Sequence, residues 1–162
     1  MNLKLPEYIQ KIQSVIENFS GTSVVYKLDQ TIAGNMMAKI ENKIPVVRYR
    51  EEPPSIEGIA HELLHLKLEY EGYHLLLPPE QDRLISQTAV ILQNVMHHHI
   101  IFPILERWGY NPRQGECCGT KNQLCILREA DFNRLNNEQS LCSLFAMVYV
   151  RGMLDCNDIN IQ

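Results

Sequence analysis

The sequence has few of the features that mark a membrane protein, a secreted protein or a nucleic-acid binder. Its longest apolar-rich stretches are interrupted by Gln, Asn or His, and none approaches the ~18 residues needed to span a bilayer. The amino terminus, MNLKLPEYIQKIQSVIENF, has no uninterrupted apolar segment and no small-residue cleavage site, so we expect no secretory signal. Basic residues number 15 against 19 acidic ones, the formal net charge is -4, and no arginine–lysine cluster occurs. We therefore expect neither a nucleic-acid partner nor a membrane.

Cysteine is also scarce, and its arrangement does not suggest a framework of disulfides. The five cysteines are odd in number and lie late in the chain: Cys117, Cys118, Cys125, Cys142 and Cys156. They contain no C-x-x-C pair, which disfavours a structural zinc site built from four thiolates. In a chain without a secretory signal we expect reduced loop thiols, and hence a cytoplasmic protein.

The length and composition are those of an ordinary globular protein. The chain has 162 residues, of which 45% are hydrophobic and 21% charged, and it shows no repeat or linker, so we predict a single domain over 1–162. A helical pattern follows Pro6 and can end at Gly21. Three strands are predicted at 23–28, 34–40 and 44–50, the last two joined as a hairpin.

The next segment predicts a central, buried helix. Ser55 is a suitable N-cap, Gly72 suits the position after a helix end, and apolar residues cover most of the circumference between them. Further helices are predicted at about 82–108, 129–135 and 138–154. Together these elements predict an α+β fold in which a short antiparallel sheet packs on the central helix and the later helices follow it.

The central helix carries a short motif, HELLH, at residues 61–65. Residues four apart lie on one face of a helix, so His61 and His65 can present ring nitrogens to a single ion. Glu62 lies about 100° further around the helix, beside the pair. A carboxylate in that position can take a proton from a water activated by zinc. The alternative is that the histidines are hydrogen-bonded core residues, but burying them without a partner is costly.

The segment 44–72, a strand, a proline-containing turn and the HELLH helix, resembles the active-site unit of zincin metallopeptidases. It is most similar in style to the small cytoplasmic ImmA/IrrE-like members of that superfamily. The resemblance implies a small zincin-like domain, a zinc hydrolase with His61 and His65 as ligands and Glu62 as base. It also implies that an edge strand, 34–40 or 44–50, holds an extended substrate by strand addition.

The sequence departs from relatives of this kind in three ways. Leu64 stands before the second histidine, where many small relatives carry glycine. Leu68 and Glu71 occupy the glycine and third-histidine positions of the metzincin continuation. The Asn-Glu pair that supplies a ligand in thermolysin-like enzymes is missing.

A catalytic zinc site needs a third protein ligand, and the HELLH helix does not provide one. Glu69 continues the spacing of four, but it lies about 12 Å along the helix axis from His61. The run HHH at 97–99 is a better source, because histidines inside an apolar helix need partners. We select His98, which shares a helix face with Asn94, and expect Pro103 to kink the helix nearby. The candidates that stay open are His97, His99, His74, Glu80 and Asp82.

The expected function is therefore zinc-dependent hydrolysis of a peptide bond in a protein or peptide substrate. His61, His65 and His98 would hold Zn²⁺, and Glu62 would act as general base. Two alternatives remain: an inactive zincin-like module that binds a protein or senses a metal, and a zinc amidohydrolase with a non-peptide substrate. The retained Glu62 argues against the inactive module. The sequence does not indicate an oligomeric state.

Overall fold

The computed structural model describes residues 4–32, 34–74, 83–115 and 117–118. The chain divides into two compact units, Met1–His74 and Leu75–Gln162. The prediction of a single domain over 1–162 stays a prediction. The predicted helices at 129–135 and 138–154 lie outside the described residues. Within these described ranges, none of the helices combines the length and apolar character required to cross a membrane.

The first unit begins with the predicted helix, α1, which spans Glu7–Ser20. The carbonyl of Pro6 accepts hydrogen bonds from the amides of Ile9 and Gln10, both at 3.0 Å. The chain leaves the helix at Gly21, whose φ of 67° is left-handed and favours glycine. Ile9 and Ile16, two turns apart, are fully buried. The helix predicted from the apolar spacing is therefore confirmed.

Three strands follow, β1 at Val25–Leu28, β2 at Met36–Glu41 and β3 at Ile44–Tyr49. β2 and β3 form the predicted antiparallel hairpin, with Asn42 and Lys43 at its turn in left-handed conformations (φ 51° and 70°). β1, however, pairs with β3 in parallel, and the strand order is β1-β3-β2.

The prediction of a purely antiparallel sheet is therefore wrong, and the sheet is mixed. Alternating polarity indicates that a segment is a strand, but it does not indicate which strand lies beside it. β1 and β2 lie on opposite sides of β3 and run in opposite directions. Because β3 is antiparallel to β2, it is parallel to β1. The α+β class is confirmed.

The central helix, α2, spans Ile56–Tyr70, as predicted from its caps. The hydroxyl oxygen of Ser55 accepts a hydrogen bond from the Gly58 amide at 3.3 Å. At the other end, the amides of Gly72 and Tyr73 donate to the carbonyls of Glu69 and Leu68, which is the Schellman arrangement. Six of its side chains are buried: Ile59, Ala60, Leu63, Leu64, Leu66 and Leu68. The prediction of a largely buried helix is therefore confirmed.

α2 contacts α1, β2 and β3, so its first turn lies against the sheet. Gly58 permits a close approach to β2, because a β-carbon built there would lie 3.0 Å from the Met36 Cε atom and 3.3 Å from its sulfur. A side chain at this position would therefore meet the end of the Met36 side chain of β2.

In the second unit, a long helix, α3, spans Arg83–Arg107, close to the predicted 82–108. It continues past Pro103, and residues 112–115 are also helical. Ile101, Phe102 and Leu105 are buried on it. The predicted kink at Pro103 stays a prediction.

One expectation about the cysteines is wrong. Cys118 is an exposed free thiol, as expected, but Cys117 is disulfide-bonded. The sequence was used to infer a compartment, and the compartment to infer that the thiols are reduced. Whether one particular disulfide can form also depends on whether two cysteines have α-carbons within about 7 Å of each other, which the sequence does not show.

Candidate functional site

His61 and His65 lie one turn apart on α2, and their rings converge. The two Nε2 atoms are 3.0 Å apart, the ring centroids are 4.8 Å apart and the ring planes are tilted by 51°. Both side chains are half-buried, whereas Leu63 and Leu64 between them are buried. The predicted geometry is therefore confirmed: spacing by four brings two imidazole nitrogens to one point at the edge of the core.

The distance between the two nitrogens is compatible with metal ligation. Zinc–nitrogen bonds of 2.0–2.1 Å at tetrahedral angles would place two ligand nitrogens about 3.3 Å apart. The observed 3.0 Å between the Nε2 atoms needs only a small ring rotation to match that value. The other arrangement with this geometry is an N–H···N hydrogen bond between two neutral imidazoles. The pair therefore has the donor chemistry and the spacing of two zinc ligands.

Glu62 follows His61, and its carboxylate contacts the sheet. Its Oε2 atom accepts a hydrogen bond from the main-chain N–H of Ala38 in β2, with a donor–acceptor distance of 2.7 Å. A carboxylate that accepts a main-chain hydrogen bond is held in one orientation. The candidate base is therefore tied to a strand that lies 24 residues earlier in the sequence.

The register of the hairpin explains why this amide is available. In an antiparallel pair, hydrogen-bonded and non-hydrogen-bonded positions alternate. The Arg50 amide donates to the carbonyl of Asn35, so Ala38, which lies opposite Val47, is at a non-hydrogen-bonded position. Its N–H faces away from β3, along the outer edge of β2. β3 is the central strand, so the edge strand beside α2 is β2. Of the two segments considered as the edge strand, 34–40 and 44–50, the first is therefore the one at an edge.

Two other residues of the first unit that were considered as a third metal ligand, Glu69 and His74, differ in their surroundings. Glu69, on the last turn of α2, is half-buried, and burial raises the pKa of its carboxyl above the usual value, an effect that His74 opposes. His74 itself is exposed just beyond the helix end. Glu69 lies two helical turns from His61, about 12 Å along the axis, which is too far for a shared ion.

The three histidines at 97–99 differ in burial, a difference that the periodicity of the sequence did not indicate. His97 and His98 are buried, with 3% and 2% of their surface exposed, whereas His99 is exposed. The His98 ring stacks on Phe102, with centroids 4.5 Å apart and planes 19° apart. Two of the three histidines are therefore interior residues, and imidazoles in the interior are normally hydrogen-bonded or bound to a metal.

His98 also lines a cavity of about 370 Å³ in the second unit, together with Phe102 and Arg113. The guanidinium of Arg113 lies over the Phe102 ring, 5.4 Å from its centroid, and its Nε atom bonds Glu106 at 2.7 Å. The remaining candidates for a third ligand, Glu80 and Asp82, lie outside the described residues.

No family model, no curated protein and no solved structure matches the chain. The chemistry of the site therefore has to be inferred from its own residues.

One functional contact was missed by the reasoning from sequence, namely the hydrogen bond between Glu62 and the Ala38 amide. The alternation of β2 indicates which amides face outward once the partner strand is known. It does not indicate that α2 lies beside that edge. The sequence offers one indirect signal, the glycine at position 58 in the first turn of the motif helix, which leaves room for the end of the Met36 side chain of β2.

Proposed function

We propose that the protein is a zinc-dependent metallopeptidase of the zincin type, which hydrolyses a peptide bond in a protein or peptide substrate. The observation that carries the proposal is the convergence of the His61 and His65 Nε2 atoms, 3.0 Å apart, beside a glutamate held by a main-chain amide. Two ring nitrogens and an oriented carboxylate on one helix are two of the three metal ligands and the base that hydrolysis by a metal-activated water requires.

The ligand set that we propose is His61 and His65 from the motif helix, with His98 as the third histidine. His98 is preferred to His99 because His98 is buried and His99 is exposed. It is preferred to His97, which is also buried, because it shares a helix face with Asn94. Stacking on Phe102 limits the orientations of its ring. Three imidazoles and one open position form a common arrangement of catalytic zinc.

Glu62 is the residue that moves the proton. A zinc ion, when bound, lowers the pKa of water to about 7 and polarises a carbonyl group. The Glu62 carboxylate would accept a proton from the attacking water and then deliver it to the leaving amine. The hydrogen bond from Ala38 to Oε2 keeps the carboxylate beside the histidine pair during both transfers.

Strand β2 supports a peptide rather than a compact amide as the substrate. It is an edge strand, and its outer side lies next to the motif helix. An extended chain can add to such an edge through main-chain hydrogen bonds. That geometry favours a peptidase over an amidohydrolase for small molecules.

The replacement Glu62→Gln tests the proposal, because glutamine keeps the shape of the side chain but does not accept a proton in this role. We expect stoichiometric zinc, an unchanged circular dichroism spectrum and a loss of about 10²–10⁴-fold in hydrolysis of a library of internally quenched peptides. Hydrolysis at the wild-type rate would refute the assigned base. A zinc-loaded wild type that cleaves none of the peptides would favour the binding module instead.

A further inference from the structure

The hydrogen bond between Ala38 and Glu62 joins two parts of the first unit that have separate tasks in the proposed reaction. Glu62 belongs to the motif helix, and Ala38 to the strand along which an extended substrate would lie. The donor is a main-chain amide, so no side chain at position 38 creates or removes the contact, except proline. A search for functional side chains would overlook it.

We propose that the main-chain N–H of Ala38 is a positioning group for Glu62, and that it thereby sets the register of substrate on the edge of β2. This inference rests on the proposed peptidase function. The 2.7 Å bond fixes one carboxylate oxygen against β2. Because the base must lie beside the bond that is cleaved, that bond is placed next to Ala38 along the strand.

The outward-facing amides of β2 then have two roles: one holds Glu62, and the others are available to pair with substrate. Outward positions recur every second residue, at Met36, Ala38 and Ile40. The Ala38 amide is engaged by Glu62, so an extended chain pairs with the strand through Met36 and Ile40 on either side of it. Substrate is therefore expected to be an extended segment that reaches both positions, with the cleaved bond between them.

Hydrogen exchange tests the contact without relying on activity. An outward amide at a strand edge exchanges quickly unless something accepts its hydrogen bond. We expect the Ala38 amide of the wild type to exchange at least about 10-fold more slowly than in Glu62→Ala, since bonds to charged groups contribute at least that factor. Glu62→Gln should retain much of the protection, because its amide oxygen still accepts. The amides of Met37 and Lys39, which face β3, serve as internal controls.

A pair of proline variants tests the positioning role. Proline is tolerated at an outward edge position, where its missing N–H leaves the ladder intact. Ala38→Pro removes the donor to Glu62, and we expect kcat to fall about 10–100-fold with KM nearly unchanged and zinc retained. The matched variant Ile40→Pro removes an outward amide that Glu62 does not use. It should mainly raise KM, by about 2–10-fold, the effect of one hydrogen bond.

Three results would overturn the inference. One is equal exchange of the Ala38 amide in the wild type and Glu62→Ala, which remains decisive if Ala38→Pro does not fold. The second is an unchanged kcat in a folded, zinc-loaded Ala38→Pro protein. The third is an equal loss of kcat in both proline variants. A wild type that hydrolyses no peptide refutes the proposed function instead, whereas the exchange experiment still decides whether Ala38 holds Glu62.

Discussion

Removing zinc from the loaded protein should lower its melting temperature without unfolding it. The motif helix is held by side chains that do not depend on a metal, since Ile59, Leu63 and Leu66 have no exposed surface. His61 and His65 are only half-buried at the margin of that core. This arrangement differs from small zinc domains, in which the metal replaces a hydrophobic core and its removal unfolds the chain.

The magnitude follows from ligand linkage. Free zinc at 100 times its dissociation constant stabilises the folded state by about 2.7 kcal/mol. For chains of about 150–250 residues, 1 kcal/mol corresponds to about 2–4 °C, so chelation should lower the melting temperature by roughly 5–11 °C. In His61→Ala, one of the two converging nitrogens is missing, and the melting temperature should be nearly the same with zinc and with chelator.

The assay is differential scanning calorimetry with added zinc or chelator, combined with metal analysis of the purified protein. His99→Ala is the control, because this exposed histidine is not in the proposed ligand set and its loss should leave the full shift. If the wild type retains no zinc and its melting temperature does not respond to chelator, His61 and His65 form a hydrogen-bonded pair. The proposal of a zinc site would then be refuted.

Three further predictions concern the third ligand, acid stability and helix packing. In equilibrium dialysis, His98→Ala should weaken zinc binding by more than the ~10–100-fold typical of an outer-shell residue, whereas Glu80→Ala should leave it unchanged. Hydrogen bonds from Thr31 hold the pKa of Asp29 at about 2, below its usual 3.8. The stabilisation that the ionised Asp29 carboxylate contributes to the folded state is thus present above pH 3.8 and lost as the pH falls toward 2. Asp29→Asn should therefore make the melting temperature less dependent on pH over that range. Gly58→Ala should shift the melting temperature by less than about 3 °C, since better helix propensity offsets crowding against a flexible methionine end.

The local elements were largely predictable from sequence, because their signals come from neighbouring residues. The apolar spacing and the end signals at Gly21, Ser55 and Gly72 gave α1 and α2 almost to the residue. The HELLH spacing alone predicted that two imidazole nitrogens meet on one helix face, and the structure confirms it. A helix fixes the relation between residues four apart through its own hydrogen bonds, whatever else the chain does.

Burial within the run of histidines was decided by tertiary packing. Apolar residues surround His97, His98 and His99 in the sequence, so no helical face stands out. The tertiary structure buries the first two and exposes the third. Which faces of a helix meet other elements depends on the rest of the fold and not on the helix alone.

The sequence by itself determined the strands, the motif helix and the spacing of His61 and His65, since these follow from contacts a few residues apart. Only the tertiary structure decided that β1 lies parallel to β3, that β2 is the edge beside α2, and that Ala38 holds Glu62. Each of these relations depends on which strands pair and on which strand edge lies beside the motif helix. That choice is made by the packing of the whole unit, because local patterns are compatible with several pairings.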